Sequence, residues 1–141
     1  MVLVKDMIDR ELYFVDPSQS VAQVAKKMAD LRIGAIVVLE DGRLRGVFSE
    51  RDVLTRVVLG HLDPEKTRVG EVMTVDVVTV PETAGVELAM ESMRVNGCRH
   101  LPVLRGPEVV GFLSMRDLMH HELGRRTEEL LRIRAYVHGV T

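Results

Sequence analysis

One seven-residue phrase occurs twice and gathers the residue types that a phosphorylated sugar requires. Gly46-Val47-Phe48-Ser49-Glu50-Arg51-Asp52 returns about 65 residues later as Gly111-Phe112-Leu113-Ser114-Met115-Arg116-Asp117, with Gly, Ser, Arg and Asp in the same places. Arg51 and Arg116 supply fixed positive charge suited to phosphate. Asp52 and Asp117 can accept hydrogen bonds from a pair of vicinal hydroxyls, as an acidic residue does for ribose in dinucleotide sites. Ser49 and Ser114 stand where a strand gives way to a helix, beside free amides and the positive end of the helix dipole. A Ser-x-x-Asp helix start is also a capping box, so a purely structural reading of Ser and Asp stays open. Gly46 and Gly111 favour binding, because glycine is unhelpful inside a strand unless another group must approach the backbone closely.

Other candidate constellations are weaker. His120-His121-Glu122 contains metal-ligand types, but adjacent helical residues point about 100° apart and the i, i+4 spacing of a zinc helix is missing, so surface histidines are expected. His61 and His138 fall in a connecting stretch and a tail, where solvent exposure is the simpler reading. Cys98 with His100 would need an acid to orient the imidazole, and both lie on or just before one strand, so no catalytic residue is assigned. The methionines fall mostly on apolar faces and read as core filling. Arg125, Arg126, Arg132 and Arg134 are interleaved with Glu122, Glu128 and Glu129, the pattern of a solvated helix with i, i+4 pairs.

The elements that must position these residues also repeat. After a short helical or turn segment, Val2 to Ile8, a strand Leu12-Tyr13-Phe14-Val15 is closed by Asp16-Pro17, and a helix capped by Ser18 or Ser20 carries Val21, Val24, Ala25, Met28 and Leu31 at helical spacing. Strand Ala35 to Leu39, the turn Asp41-Gly42 and strand Leu44 to Phe48 form a hairpin. A helix from Glu50 to about Leu59 follows, stopped by Gly60. The order begins again with Val69 to Met73. Strand Val77 to Val80 is closed by Pro81, and a helix bears Val86, Leu88, Ala89 and Met93. Next come the strands Leu101 to Leu104 and Val109 to Leu113, joined by Arg105 to Glu108, and a helix beginning at Ser114. Pro102 should sit at an edge or at a strand's first residue, since it cannot donate to a ladder. Glu122 to Val137 keeps Leu123, Leu130, Leu131, Ile133, Tyr136 and Val137 in a loosely helical arrangement, read as an extension that packs on a partner subunit.

The expected division is therefore repeat one at 1–60, a linker at 61–68, repeat two at 69–122 and a helical extension at 123–141. The 141 residues suit two half-size units sharing a core, and 46% hydrophobic with 4% aromatic residues makes that core aliphatic. No stretch approaches the roughly 18 unbroken apolar residues of a membrane span. The N-terminus meets charge too soon for a signal peptide, so a cytoplasmic location is expected. A net charge of −2 offers no bulk attraction to nucleic acid or anionic lipid, and neither is expected as a partner. The solitary Cys98 fits a reducing compartment.

On both Gly-h-h-Ser-x-Arg-Asp phrases, the Arg-Ile-Gly-Ala-Ile-Val-Val and Cys-Arg-His-Leu-Pro-Val strands and the β-α-β-β-α order, the sequence resembles the tandem cystathionine-β-synthase (CBS) domain pair, or Bateman module, over about residues 3 to 122. The resemblance implies an α+β fold in which two β-α-β-β-α repeats pack through their sheets about a pseudo-twofold axis. It also implies two clefts for adenosine-containing ligands: AMP, ADP or ATP, with S-adenosylmethionine or NAD(H) as further options, acting as regulatory ligands rather than cofactors. By resemblance, one cleft takes Ser114, Arg116 and Asp117, with Ile33, Gly34 and Ala35 holding the adenine through backbone groups. The other takes Ser49, Arg51 and Asp52, with Thr79, Cys98, Arg99 and His100. Family members often carry Thr just before the first proline of each unit. Thr79 fits that pattern, whereas Phe14 stands at the matching place and would stack on the base or block it. The Asp52 cleft is thus expected to be the better phosphate binder, and the Asp117 cleft to be empty or different. A homodimer that signals to an effector protein is the implied setting, and a ligand-free interaction module of the same fold is the alternative.

Overall fold

A computed structural model of the chain describes residues 1–8 and 11–137, the last two by backbone alone. His138, the extension beyond 137 and the side chains of Tyr136 and Val137 lie outside the described residues. A 3₁₀ turn, Val4–Met7, precedes β1 (Phe14–Val15), α1 (Val21–Leu31), β2 (Ala35–Glu40), β3 (Arg43–Ser49) and α2 (Glu50–Asp52), which runs into a π-wound segment, Val53–Val58. The order returns as α3 (Val69–Val72), β4 (Val80–Pro81), α4 (Val86–Asn96), β5 (His100–Arg105), β6 (Glu108–Ser114) and α5 (Met115–Val137).

Each half builds its own sheet, β1-β2-β3 or β4-β5-β6, with a parallel first pair and an antiparallel second pair. The match extends to register: Ala35 faces Ser49 as His100 faces Ser114, and both hairpins shift register in the same place, at Val38/Leu39 and Val103/Leu104. The architecture is α+β, two β-α-β-β-α units about an approximate twofold axis, with β3 lying against β6. Helix α1 forms because Val21, Val24 and Met28 bury one face while Ser20 and Gln23 close a reciprocal cap at its start. In the first hairpin Asp41 and Gly42 both take positive φ, 52° and 77°, as a two-residue turn matched to strand twist requires. Among the described residues no helix is long and apolar enough to cross a membrane.

Several expectations need correction. The first strand of each unit is only two residues long, so Leu12-Tyr13 and Val77 to Thr79 approach their sheets without joining them. Leu88 points outward, 59% exposed, leaving Val86, Ala89 and Met93 as the buried face of α4. Pro102 is neither an edge nor a first residue: it is third in the central strand β5, opposite Phe112. It is tolerated because β4 pairs only with Val103 and Leu104, so no ladder partner waits opposite Pro102 on that side. The second turn is shorter than the expected Arg105 to Glu108, since those two residues pair with each other and only Gly106-Pro107 connects the strands. The helix after Ser49 is not uniformly α. From Val53 it winds with i→i−5 bonds, Leu59 N–H to Leu54 O at 3.1 Å and Leu62 N–H to Val57 O at 3.0 Å.

The segment that leads into each unit packs on the other unit. Val4 sits in the core of the second sheet with Val80, Leu101 and Leu113, and Met7 and Ile8 pack against it. Val69, Val72 and Met73 sit in the core of the first, with Ile36, Val38 and Phe48. Backbone bonds fix the exchange: Val4 N–H to Ala84 O at 2.8 Å and Val86 N–H to Val2 O at 3.0 Å on one side, Val69 N–H to Gln19 O at 2.8 Å and Val21 N–H to Thr67 O at 2.9 Å on the other. Neither half therefore closes its core from contiguous sequence.

This exchange explains the repeated glycines. A Cβ on Gly46 would lie 2.5 Å from the Thr74 carbonyl oxygen, and one on Gly111 would lie 2.8 Å from Ile8 Cγ2. What presses on the strand is the exchanged segment, not a ligand. The glycines are thus removed from the argument for binding.

Candidate functional site

Both repeated phrases form helix starts with reciprocal caps. Ser49 N–H donates to Asp52 Oδ2 at 3.0 Å while Asp52 N–H donates to Ser49 Oγ at 3.2 Å. Ser114 and Asp117 make the same pair at 3.3 and 3.0 Å. Each start is tied to the opposite end of its own hairpin, Glu50 N–H to Gly34 O at 3.0 Å and Met115 N–H to Arg99 O at 2.7 Å. The acids are therefore structural caps in the first instance. Asp52 has further partners. Its Oδ2 also accepts from Ser49 Oγ at 3.1 Å, its Oδ1 accepts from Thr74 Oγ1 at 3.1 Å, and Arg56 Nε lies 3.5 Å away. Arg56 in turn donates to the carbonyls of Met73 and Val72, holding the exchanged segment against the π-wound segment.

Two cavities open at these starts. The smaller, 420 Å³, is lined by Ser114, Arg116 and Asp117 on one side and Ile33, Gly34 and Ala35 on the other, bringing together six residues that the sequence grouped. The larger, 710 Å³, brings Ser49, Arg51 and Asp52 together with Cys98, Arg99 and His100. Thr79 does not line it, and Phe14, half exposed, does not line the smaller one. The positions one residue earlier, Val78 and Tyr13, line the cavities instead. In β1 the burial alternates, Phe14 out and Val15 in, so position 14 turns away from the cleft and cannot block it.

Sequence reasoning missed other wall residues. The Asp117 cleft also has Glu11, Arg32 and His120, and the Asp52 cleft has Glu50, Thr55, Thr74 and Asp76. Thr55 and His120 occupy matching places one turn into their helices, a position that the i, i+3 spacing from Asp52 and Asp117 could have revealed. Charges of both signs line both clefts, so neither is a simple anion funnel. Arg51, Arg99 and Arg116 line the two cavities with exposed side chains. Burial pushes the Cys98 thiol above its ordinary value, which disfavours thiolate chemistry. Burial likewise pulls the His100 imidazole below its ordinary value, against the opposing pull of Asp117 and Glu50.

The fold and its clefts define a paired β-α-β-β-α module that can enclose small ligands between its halves. The CBS domain family matches the chain twice, at residues 4–59 and 69–124, and the chain belongs to that family. It is 32% identical over 125 residues to the mitochondrial CBS domain-containing protein CBSX3 of Arabidopsis thaliana, covering 85% of this chain but only 61% of that longer protein. Among solved structures it is similar to the CBS-domain containing protein ATU1752 of Agrobacterium tumefaciens, with a TM-score of 0.79, 30% identity, and 86% and 99% of the two chains covered. It is also similar to the CBS domain protein PAE2072 of Pyrobaculum aerophilum complexed with AMP, with a TM-score of 0.76, 30% identity, and 82% and 89% covered.

Proposed function

We propose that this chain is a regulatory sensor that binds an adenine nucleotide, AMP, ADP or ATP, in the clefts between its repeats and passes occupancy to an effector protein. The observation that carries this reading is the pairing, in each cavity, of a Ser-x-Arg-Asp helix start from one repeat with a strand start from the other. The AMP complex of the Pyrobaculum relative supports it. In each cleft Arg51 or Arg116 meets phosphate, Ser49 or Ser114 reaches sugar or phosphate, and Asp52 or Asp117 receives ribose hydroxyls. Backbone groups at Ile33 to Ala35, or at Cys98 to His100, hold the base. Arg99 joins Arg51 in the Asp52 cleft as Arg32 joins Arg116 in the other, so each cleft offers two exposed arginines to phosphate. No catalytic residue is assigned. Signalling follows from the ligand's differential affinity for two inter-repeat arrangements. In this reading the chain works in the cytoplasm as a homodimer that covers exposed apolar residues such as Leu54, Val58, Leu88, Val95 and Leu123.

Isothermal titration with AMP, ADP, ATP, S-adenosylmethionine and NADH tests the reading. An Arg51→Ala/Arg116→Ala variant should lose about tenfold or more in affinity for the preferred nucleotide. Undiminished binding by the variant, or no binding by the wild type, refutes it. The second reading, an interaction module with unfilled clefts, draws on the reciprocal caps and on the glycines now explained by packing. It requires that no nucleotide raise the melting temperature.

A further inference from the structure

The two clefts share part of a wall, Gly34, Ala35 and His100, and of these His100 alone has a polar side chain. His100 opens β5 opposite Ser114, and its ring stacks on Phe112 with centroids 5.2 Å apart and planes 23° apart. Stacking restricts the ring to a fixed plane, so its two nitrogens have limited freedom to choose partners. Charged groups face it from both helix starts and from its own strand: Asp117 on α5, Glu50 on α2 and Arg99 just before β5. His120 and Arg116 share the Asp117 cleft with it, and Arg51 shares the Asp52 cleft. Burial depresses its basicity, Arg99 adds to that, and the two acids oppose it. At neutral pH the imidazole is therefore uncharged, with one N–H donor and one bare nitrogen.

We propose that His100 couples the two clefts: a nucleotide bound in one takes the single imidazole N–H and so weakens binding in the other. An anionic or carbonyl oxygen in the first cleft fixes the tautomer that donates towards it. The ligand in the second cleft then meets a lone pair where it needs a donor, or must bear the cost of protonating the ring. In acid the imidazolium donates from both nitrogens and the competition ends. The inference rests on the proposed nucleotide binding in both clefts.

Calorimetric titration with AMP at about pH 7.5 and about pH 5.5 tests it. Arg51→Ala/Asp52→Asn reports the Asp117 cleft alone, and Arg116→Ala/Asp117→Asn reports the Asp52 cleft alone. In the wild type at the higher pH, the second AMP should bind about tenfold more weakly than the matching single-cleft variant predicts. At the lower pH that gap should close. His100→Ala should remove the coupling, leaving two independent sites, each binding more weakly than in the matching single-cleft variant because the imidazole donor is lost. His100→Gln, which keeps an amide donor but cannot titrate, should retain weakened second binding at both pH values. Thermal melts check that each variant is folded. Coupling that survives His100→Ala, additive isotherms in the wild type, or AMP binding by only one of the single-cleft variants would overturn the inference while leaving nucleotide binding intact. No heat from AMP, ADP or ATP with the wild type overturns the nucleotide reading and this inference together.

Discussion

The two clefts use one phrase at their helix starts and, apart from the shared Gly34, Ala35 and His100, different residues on their facing walls. By position in the repeat, Tyr13 corresponds to Val78, Ile33 to Cys98 and Gly34-Ala35 to Arg99-His100, so the residues facing the two helix starts differ in kind. Thr55 and His120 differ likewise. The phrase is alike in both because folding demands it: each Ser–Asp pair caps a helix, and each Gly makes room for a segment from the other repeat. Wall residues carry no such duty and are at liberty to diverge. The difference teaches that a repeated motif in this fold reports on assembly first, and that ligand preference is written in what is not repeated. Within the Asp52 cleft the acid already holds Ser49, Thr74 and Arg56. A carboxylate has about four lone-pair directions, so ribose hydroxyls at Asp52 must displace a protein donor.

The comparison breaks most readily at the glycines. Gly46→Ala should cost about 2–3 kcal/mol, because its Cβ would meet a backbone carbonyl that is itself paired with Val47. Gly111→Ala should cost about 1–2 kcal/mol, because its Cβ would lie 2.9 Å from Ile8 Cβ, which side-chain rotation does not move, so the lead-in turn must shift without breaking a backbone pair. Urea denaturation of both variants gives the order, and equal or reversed costs would mean that the exchanged segments are not what the glycines accommodate. Thr74→Val sharpens the contrast between the acids. It removes the Oγ1 bond to the buried Asp52 and should cost about 1–2 kcal/mol. If Asp52 is a hydroxyl acceptor, the same change releases a lone pair and nucleotide affinity in that cleft should rise. A fall in affinity would assign Thr74 itself to the ligand.

Much of the fold was legible because its signals are local. The helix faces at Val21, Val24 and Met28, the Asp41-Gly42 turn and the duplicated order all follow from patterns a few residues long. The partners of the lead-in segments were not legible, since Val4 and Val69 look like ordinary apolar residues and nothing nearby says which sheet they join. That gap misdirected the reading of Gly46 and Gly111 from a packing contact to a ligand. Phe14 and Thr79 were misplaced for a different reason. Strands of two residues give too short an alternation to fix which side chain faces the cleft, and a slip of one residue exchanges the faces. The π winding after Asp52 left no trace either, since Val53 to Val58 reads equally well as α-helix.

The smallest expected effect bears on the shared wall. Because His100 has its basicity lowered in the folded state, the unfolded chain binds a proton there more readily than the native one. Stability from this residue is therefore full above the unfolded-state value of about 6.5 and is lost as pH falls through the lower folded-state value. Between about pH 7.5 and 5.5 the wild type should lose under about 1 kcal/mol from this source, a loss that His100→Gln should not share. Chemical denaturation of both proteins across that range isolates the contribution, since other titrating groups are common to the two. A wild-type curve parallel to that of His100→Gln would mean that the ring is solvated enough to titrate normally. The wall would then be open to water and the clefts less insulated from each other than the stacking on Phe112 implies. A wild-type curve that instead gains stability in acid would mean that Asp117 and Glu50 outweigh burial, making His100 an imidazolium with donors for both clefts at once.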